Sequence, residues 1–154
     1  MAEDPAPAIP WLVPPTLAEP GVTLLRPGPF SVGAMEVDTD KGVVERYLQA
    51  VVDHDWDALA ECLTEDVVRV GPFLDTYTPR RPYVEFLASL MPALPGYSMR
   101  VERVLYSGAV AVAQLSETVE LDGTPVETPE ALVFDLDESG RIRRIEIFIQ
   151  RAGP

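Results

Sequence analysis

Cysteine and histidine are nearly absent from this 154-residue sequence, which contains one of each. The single cysteine, Cys62, has no partner for an internal disulfide, and with His54 it does not complete the four-ligand set of a zinc site. We therefore expect no metal site and chemistry without a cofactor. No apolar run approaches the roughly 20 residues that span a bilayer, and the N-terminus has neither the basic segment nor the apolar stretch of a signal peptide. These absences predict a cytoplasmic protein.

Basic residues are scarce as well. The chain has 12 lysines and arginines against 25 aspartates and glutamates, which gives a formal net charge of -13. Nucleic acids and anionic membrane surfaces repel so acidic a chain, so neither is expected as a partner. The length is that of one domain with a sizeable core.

Proline is concentrated at the N-terminus, where residues 1–38 carry half of the 16 prolines. Such a stretch does not form a helix and has little to bury, so we interpret it as an extension that precedes a folded domain of residues 39–151. Two interpretations of the extension remain open. Trp11 and Phe30 favour a segment that wraps its own domain or a partner subunit, whereas the composition is equally typical of a disordered tail.

Apolar residues at helical spacing predict three helices in residues 39–151. Either Thr39 or Asp40 can cap the first helix, which ends near residue 53. Asp55 can cap a second, short helix, and Pro82 suits the first position of a third. The first two helices are expected to form a hairpin.

Strands follow the helices and do not alternate with them. A short strand is predicted at 67–70, and four β-rich runs joined by hairpin-sized turns are predicted at 97–106, 109–121, 126–136 and 141–150. This order predicts an α+β fold, namely a cone-shaped, curved antiparallel sheet with three N-terminal helices packed on its concave face. The concave side is the natural position for a pocket.

Two acids, Glu117 and Glu130, occupy core-facing positions in the hairpin of residues 109–137. The alternate positions around each of them are mainly apolar, as on a strand with one buried face. Asp122 and Gly123 suit a type I′ turn, because both central positions of that turn need positive φ, and the turn fixes the register. The predicted pairs are Leu121 with Thr124, Val119 with Val126, Glu117 with Thr128, and Leu115 with Glu130. The two acids then become diagonal neighbours about 5 to 8 Å apart.

Glu117 and Glu130 are therefore candidate acid and base groups. Two carboxyls that face apolar neighbours should share a proton, with at least one pKa raised, as in many active sites. The alternative is structural: one or both acids lie solvated at the rim, or pair with an arginine such as Arg143. The sequence leaves both interpretations open.

Residues 46–59, which read RYLQAVVDHDWDAL, are followed by EDVV at 65–68 and by Pro72. This pattern resembles the superfamily of nuclear transport factor 2, ketosteroid isomerases, SnoaL-type polyketide cyclases and limonene-epoxide hydrolases. The resemblance covers about residues 40–151 and implies the cone-shaped α+β fold. It implies either a catalyst or a plain binding module, because this fold hosts both.

Some of the functional residues of the superfamily have a counterpart in this sequence and others do not. Tyr47 matches the tyrosine of the first helix that donates to the substrate oxyanion in ketosteroid isomerases. The isomerases' general base falls on Gly71 and their second acid near Leu132, so both carboxyls are missing here. The Asp, Arg and Asp of the epoxide hydrolases would fall near Glu120, Thr118 and Ile147. Tyr47 itself can be a site residue or a core tyrosine with a satisfied hydroxyl.

The predicted function is binding of a small, largely apolar molecule, such as a polyketide, terpenoid or steroid-like compound, with cofactor-free proton transfer by an isomerase, cyclase or epoxide hydrolase. Glu117 or Glu130 would move the proton while Tyr47 donates to an oxygen that gains charge. The predicted pocket wall consists of Phe73, Tyr77, Leu132, Phe134 and Ile147. The alternative is a non-catalytic module for ligand binding or dimeric assembly, and the sequence does not decide whether the protein is an enzyme.

Apolar residues on the outer face of the sheet predict a homodimer, an assembly that the resemblance also implies. An antiparallel sheet with helices on one face leaves its other face to be covered. The outer positions that support this prediction are Val110, Val112, Val133, Ile142 and Phe148.

Overall fold

The structure is a computed structural model that describes residues 42–151. The predicted extension 1–38 and the predicted capping residues Thr39 and Asp40 lie outside the described residues. In chain order the elements are α1 Val43–Asp53, α2 Trp56–Glu61, β1 Leu63–Val70, β2 Thr76–Tyr77, α3 Arg80–Leu90, β3 Ser98–Ser107, β4 Val110–Leu121, β5 Thr124–Leu136 and β6 Ile142–Ile149. In this part of the chain no helix is both long and apolar enough to cross a membrane.

The six strands form one curved, unclosed sheet in the order β2-β1-β6-β5-β4-β3. The antiparallel meander of β3 to β6 and the α+β class are confirmed. One pairing departs from an all-antiparallel sheet, because β1 runs parallel to β6. No short turn joins these two strands, and the long connection between them permits a parallel pair.

Irregular pairing occurs at three places in the sheet. The register shifts within β1, between Val101 and Arg103 in β3, and between Asp135 and Leu136 in β5. Extra residues of this kind bend a strand and increase its twist. The shift beside Leu136 also changes which face Ile142 occupies: it was predicted on the outer face, but it is fully buried.

The β4–β5 hairpin has the predicted register. Asp122 and Gly123 have φ values of 50° and 77°, as the I′ turn requires. Leu115 pairs with Glu130 and Glu117 with Thr128. Both acids therefore share the inner face of the sheet with the buried residues of β4.

Helix α1 packs its apolar stripe over this inner face. Val44, Tyr47, Leu48 and Val51 are at most 5 % exposed, and the ring of Tyr47 meets Phe134 of β5 edge to face at 5.6 Å. The helix ends at Asp53, as predicted, because His54 takes the left-handed conformation at φ 55°. The apolar side chains of α1 and of the inner sheet face thus form one hydrophobic core.

Helices α2 and α3 differ in how well the sequence predicted their starts. Asp55 caps α2 as predicted, accepting a hydrogen bond of 3.0 Å from the backbone N–H of Ala58. Helix α3 begins at Arg80, two residues before Pro82, which therefore lies within the first turn. Proline is tolerated there because the N–H groups of the first turn have no intrahelical acceptor.

The start of α1 is held by a side chain from a distant strand. Gly42 at the N-cap offers no side-chain acceptor. Instead the Val44 backbone N–H donates to the hydroxyl of Tyr106 on β3, at 3.1 Å, and that hydroxyl donates to the carboxylate of Glu45. Burial raises the pKa of Tyr106 to about 12, so the hydroxyl keeps its proton.

Replacing Tyr106 with phenylalanine is expected to lower the free energy of unfolding by about 1 to 2 kcal/mol, the effect of losing a helix N-cap. The ring stays, so the loss isolates the hydroxyl. Urea unfolding of Tyr106→Phe measures it. Gln49→Ala, which breaks an exposed hydrogen bond to Asp53 at the other end of the same helix, serves as the control. A Tyr106→Phe protein as stable as the parent would contradict the cap.

Candidate active site

A small cavity lies between the helices and the concave face of the sheet. Its free volume is about 60 Å³. Its wall is mostly apolar, with polar groups from five residues: Tyr47, Arg69, Tyr83, Glu117 and Glu130. Helix α1 contributes Tyr47, helix α3 contributes Tyr83, and strands β1, β4 and β5 contribute the charged residues. Three residues that the sequence proposed for catalysis thus face one cavity.

The two acids are in direct contact. Glu130 is buried, and the carboxyls of Glu130 and Glu117 are joined by a hydrogen bond. Glu117 is partly exposed as a residue, but its carboxylate also accepts a hydrogen bond of 2.7 Å from the hydroxyl of Tyr97. Two carboxyls can form a hydrogen bond only when one of them carries a proton. This contact therefore favours a proton shared between the two carboxyls.

The surroundings place that proton on Glu130. Burial, followed by the negative charge of Glu117, raises the pKa of Glu130 to about 9. Burial also raises the pKa of Glu117, but the hydrogen bonds from Tyr97 and Glu130 act in the opposite direction. Of the two acids, Glu117 therefore gives up its proton first and Glu130 keeps its proton longer, with the two titrating as a coupled pair.

Two tyrosines form the second polar group of the cavity. The hydroxyls of Tyr47 and Tyr83 are hydrogen-bonded to each other, and both side chains are buried. Burial raises the pKa of each phenol, so both stay neutral. One hydroxyl donates to the other, and the accepting hydroxyl keeps its own proton for a further acceptor. The arrangement can therefore donate a hydrogen bond to a ligand oxygen.

Arg69 is a cavity residue that the sequence did not single out. It is 4 % exposed and forms an ion pair with Asp75. Its guanidinium lies 5.7 Å from the ring centroid of Tyr77 and 5.5 Å from that of Phe86. The charge of Arg69 lowers the pKa values of both Glu117 and Glu130. Arg143, the arginine suggested from the sequence, is exposed and is absent from the cavity wall.

The predicted wall residues are divided between the cavity and its surroundings. Leu132 and Ile147 line the cavity. Phe134 is fully buried behind Tyr47, and Tyr77 stacks on Phe86, which lines the cavity itself. Phe73 is 44 % exposed and lies under the guanidinium of Arg151. A role for these five residues in ligand binding stays a prediction.

Alternation along the strands could have found two of the missed polar residues. Arg69 shares a face of β1 with the buried Val67, and Tyr97 is two residues from Met99, the partner of Glu117. Within residues 42–151 no group of three histidine, cysteine, aspartate or glutamate side chains is placed to hold a metal ion. The cavity chemistry available from the described residues is that of carboxyl, phenol and guanidinium groups.

Comparisons with known proteins agree with this architecture. Residues 44–145 match the model of the SnoaL-like domain. A search of curated proteins finds no match to the chain. Among solved structures, a candidate SnoaL-like polyketide cyclase from Shewanella denitrificans superposes with a TM-score of 0.63 at 15 % identity, covering 70 % of this chain and 88 % of that one.

Two further structures extend the comparison to other activities. An LEH-like epoxide hydrolase from M. tuberculosis gives a TM-score of 0.61 at 21 % identity, covering 70 % of this chain and 80 % of that one. A protein from Catenulispora acidiphila with a ketosteroid isomerase-like fold gives 0.61 at 16 % identity, covering 69 % and 83 %. At these identities the likeness shows the fold alone. The family match over residues 44–145 and the common fold together show that this chain belongs to the SnoaL-like domain family.

Proposed function

We propose that the protein is a cofactor-free enzyme that moves a proton next to a carbonyl group in a small, largely apolar molecule. The observation that carries this proposal is the proton-sharing pair Glu117–Glu130, in one cavity with the Tyr47–Tyr83 pair. A carboxylate is the base such a step needs, and a phenol donates to the oxygen where charge develops. Isomerases and cyclases perform this kind of chemistry.

The proposed mechanism assigns one task to each group. The carboxylate of Glu117 takes a proton from the carbon beside the carbonyl, and the electron pair of that C–H bond moves to the carbonyl oxygen. The tyrosine pair donates a hydrogen bond to the resulting enolate oxygen. Glu117, now protonated, returns the proton to the same or a neighbouring carbon, which regenerates the carboxylate. Glu130 orients Glu117 through their hydrogen bond.

The charges around the cavity support a neutral substrate. The Arg69–Asp75 ion pair is internally balanced, and the acid pair, with Glu130 protonated, adds at most the negative charge of the Glu117 carboxylate. An anionic substrate would meet this carboxylate in a partly desolvated site, which is costly. A ketone, enone or similar neutral carbonyl compound of polyketide, terpenoid or steroid-like type carries no such cost.

The proposal is tested by hydrogen-deuterium exchange of cyclohexanone and cyclohex-2-enone in D₂O, followed by NMR. The parent protein is expected to exchange the protons beside the carbonyl faster than buffer. Glu117→Gln should slow the catalysed rate at least about 100-fold because it removes the base. Tyr47→Phe should slow it about 10- to 100-fold because the oxyanion loses part of its stabilisation. Glu127→Gln, an exposed glutamate of β5, is the matched control.

The competing function is a non-catalytic ligand-binding or assembly module. The observation in its favour is the cavity volume of about 60 Å³, which is well below the roughly 300 Å³ at which small-molecule sites begin. Exchange no faster than buffer with either ketone, in a protein whose fold is intact, would favour that module over the enzyme.

We also propose that the protein is a cytoplasmic homodimer whose subunits meet through the outer face of the sheet. Leu105 and Phe148 on that face are 59 % and 54 % exposed, and Leu105 is the cross-strand partner of Val112. Light scattering should give twice the chain mass of 16.9 kDa, and Leu105→Arg should give one chain mass. Leu74→Arg, in a loop residue that is 83 % exposed, is the control. A monomeric parent at micromolar concentration would refute the dimer.

A further inference from the structure

A second apolar space lies directly outside the acid cavity. It is a groove between α1 and β3 with a free volume of about 260 Å³, and we name it the α1–β3 groove. Its lining residues are Glu45, Leu48, Gln49, Val52, Met99 and Val101. Val52 and Val101 are 41 % and 43 % exposed, so the groove opens to solvent. Apolar surface of this kind beside a cavity offers burial to a ligand.

The cavity and the α1–β3 groove share two wall residues, Leu48 and Met99. Leu48 is 3 % exposed and fixed in the apolar stripe of α1. Met99 is only partly buried, and its side chain has three rotatable bonds and no branch, so it can change rotamer at low cost. Of the two shared residues, Met99 is therefore the one that can move.

Met99 also lies next to the proposed base. Its register partner on β4 is Glu117, on the same inner face of the sheet. A ligand atom that contacts the carboxylate of Glu117 is thus a neighbour of the Met99 side chain. Displacement of that side chain toward solvent would join the 60 Å³ cavity to the 260 Å³ groove. The joined space reaches the size of ordinary small-molecule sites, about 300 Å³ and above.

We propose that Met99 is a movable wall between the acid cavity and the α1–β3 groove, and that the groove holds the apolar tail of the molecule whose oxygen lies at Glu117 and the tyrosine pair. This inference rests on the proposed function for the position of the ligand oxygen. It adds the substrate class: a neutral oxygen-bearing head with an unbranched or narrow apolar tail. Met99, Val52 and Val101 then determine how long a tail the protein accepts.

The test uses phenol and its 4-ethyl, 4-butyl, 4-hexyl and 4-octyl derivatives, whose hydroxyl and planar ring resemble an enol. Isothermal titration calorimetry on the full chain gives a dissociation constant for each compound. Tails that enter the α1–β3 groove should tighten binding by up to about four-fold per methylene group until the groove is filled. The ratio of the dissociation constants of phenol and 4-octylphenol then measures how much affinity the groove adds by burying the tail.

Variants test the wall and the groove separately. Met99→Ala removes the wall and should strengthen binding of 4-butylphenol and 4-hexylphenol at least about five-fold, since their tails then enter the groove without displacing the Met99 side chain. Leu90→Ala enlarges the acid cavity without changing the groove. The gain in binding affinity per methylene group should therefore be the same as in the parent protein. Val101→Lys should lower the ratio of the dissociation constants of phenol and 4-octylphenol at least ten-fold, whereas Leu74→Lys, at an apolar loop residue outside the groove that is 83 % exposed, should leave that ratio unchanged.

The possible outcomes separate this inference from the proposed function. Binding of phenol that Glu117→Gln weakens, with an affinity that does not change with tail length, would overturn the movable wall and leave the proposed function standing. The same flat series would result if another segment of the chain already fills the groove. Absence of binding by every compound, in the parent and in Met99→Ala, would overturn both. A rising series that Val101→Lys does not flatten would move the tail to another surface and overturn the inference.

Discussion

Replacing Glu130 with glutamine is expected to stabilise the protein at alkaline pH, although the substitution is made in the candidate active site. Glutamine has nearly the shape of the protonated glutamic acid. Its amide can donate to the carboxylate of Glu117, as the protonated Glu130 does now. The variant therefore keeps the hydrogen bond of the neutral form and loses the possibility of a second buried charge.

The direction of the pH effect follows from linkage. In the unfolded chain Glu130 titrates near 4.5, and in the folded protein burial and Glu117 raise its pKa to about 9. Between these values the folded state binds the proton that the unfolded state has released. The free energy of unfolding therefore falls as the pH rises through this window, by up to about 1.4 kcal/mol per pH unit.

Glu130→Gln should remove this fall and raise the free energy of unfolding at pH 8 on the order of 3 kcal/mol. Urea unfolding at pH 5, 6.5 and 8 measures the difference, which should be small at pH 5 and largest at pH 8. Glu127→Gln is the matched control, because Glu127 lies on the same strand but is exposed and outside the cavity wall. Hydrogen bonds from Ser116 and Arg100 lower its pKa. It should not stabilise the protein at pH 8. Parallel pH profiles of parent and Glu130→Gln would refute the buried proton-sharing pair.

The acid pair could be predicted from the sequence because it depends on local rules. Strand alternation assigns Glu117 and Glu130 to the inner face, and the turn at Asp122 and Gly123 sets their register. Both rules act within the single hairpin of β4 and β5. The helix hairpin was predictable for the same reason, since Asp55 caps α2 through a neighbouring residue.

Alternation gives the face of a residue such as Arg69 but not its partners, and the rest of the site depends on such contacts between distant segments. The Arg69 side chain is enclosed because β1 pairs in parallel with β6 and because the loop that follows β1 places Asp75 against the guanidinium. The partner of Tyr47 is Tyr83, 36 residues away on α3. Strand alternation also gives the face of a residue but not its depth, so it placed Phe134 inward without distinguishing core from cavity wall.

The Arg69–Asp75 ion pair offers the second large effect. Asp75→Asn removes the negative partner of the Arg69 side chain, which is 5 % exposed, and the arginine then stays buried without the carboxylate that now pairs with it. Removing one partner of a buried ion pair typically costs about 3 to 5 kcal/mol. Because the Asp75 side chain is itself 35 % exposed, we expect a loss of unfolding free energy near the lower end, about 3 kcal/mol. Urea unfolding at pH 7 measures it.

An exposed ion pair of the same type provides the control. Glu65→Gln breaks the contact between Glu65 and Arg80, whose side chains are 79 % and 27 % exposed. Solvent screens such pairs, so the expected loss is below about 1 kcal/mol. Equal losses of unfolding free energy for Asp75→Asn and Glu65→Gln would show that burial of Arg69 does not make its ion pair more important for stability than an exposed one.

The same ion pair should set the titration of the acids, and this links the stability of the fold to its chemistry. Arg69 lowers the pKa of both Glu117 and Glu130, while Asp75 neutralises part of the positive field that reaches them. Asp75→Asn should therefore lower the apparent pKa of the pair, and Arg69→Met should raise it. Carboxyl-carbon NMR over pH 4 to 10 follows both shifts. Shifts of the same sign in the two variants would mean that rearrangement of the cavity, and not the charge of Arg69, tunes the acid pair.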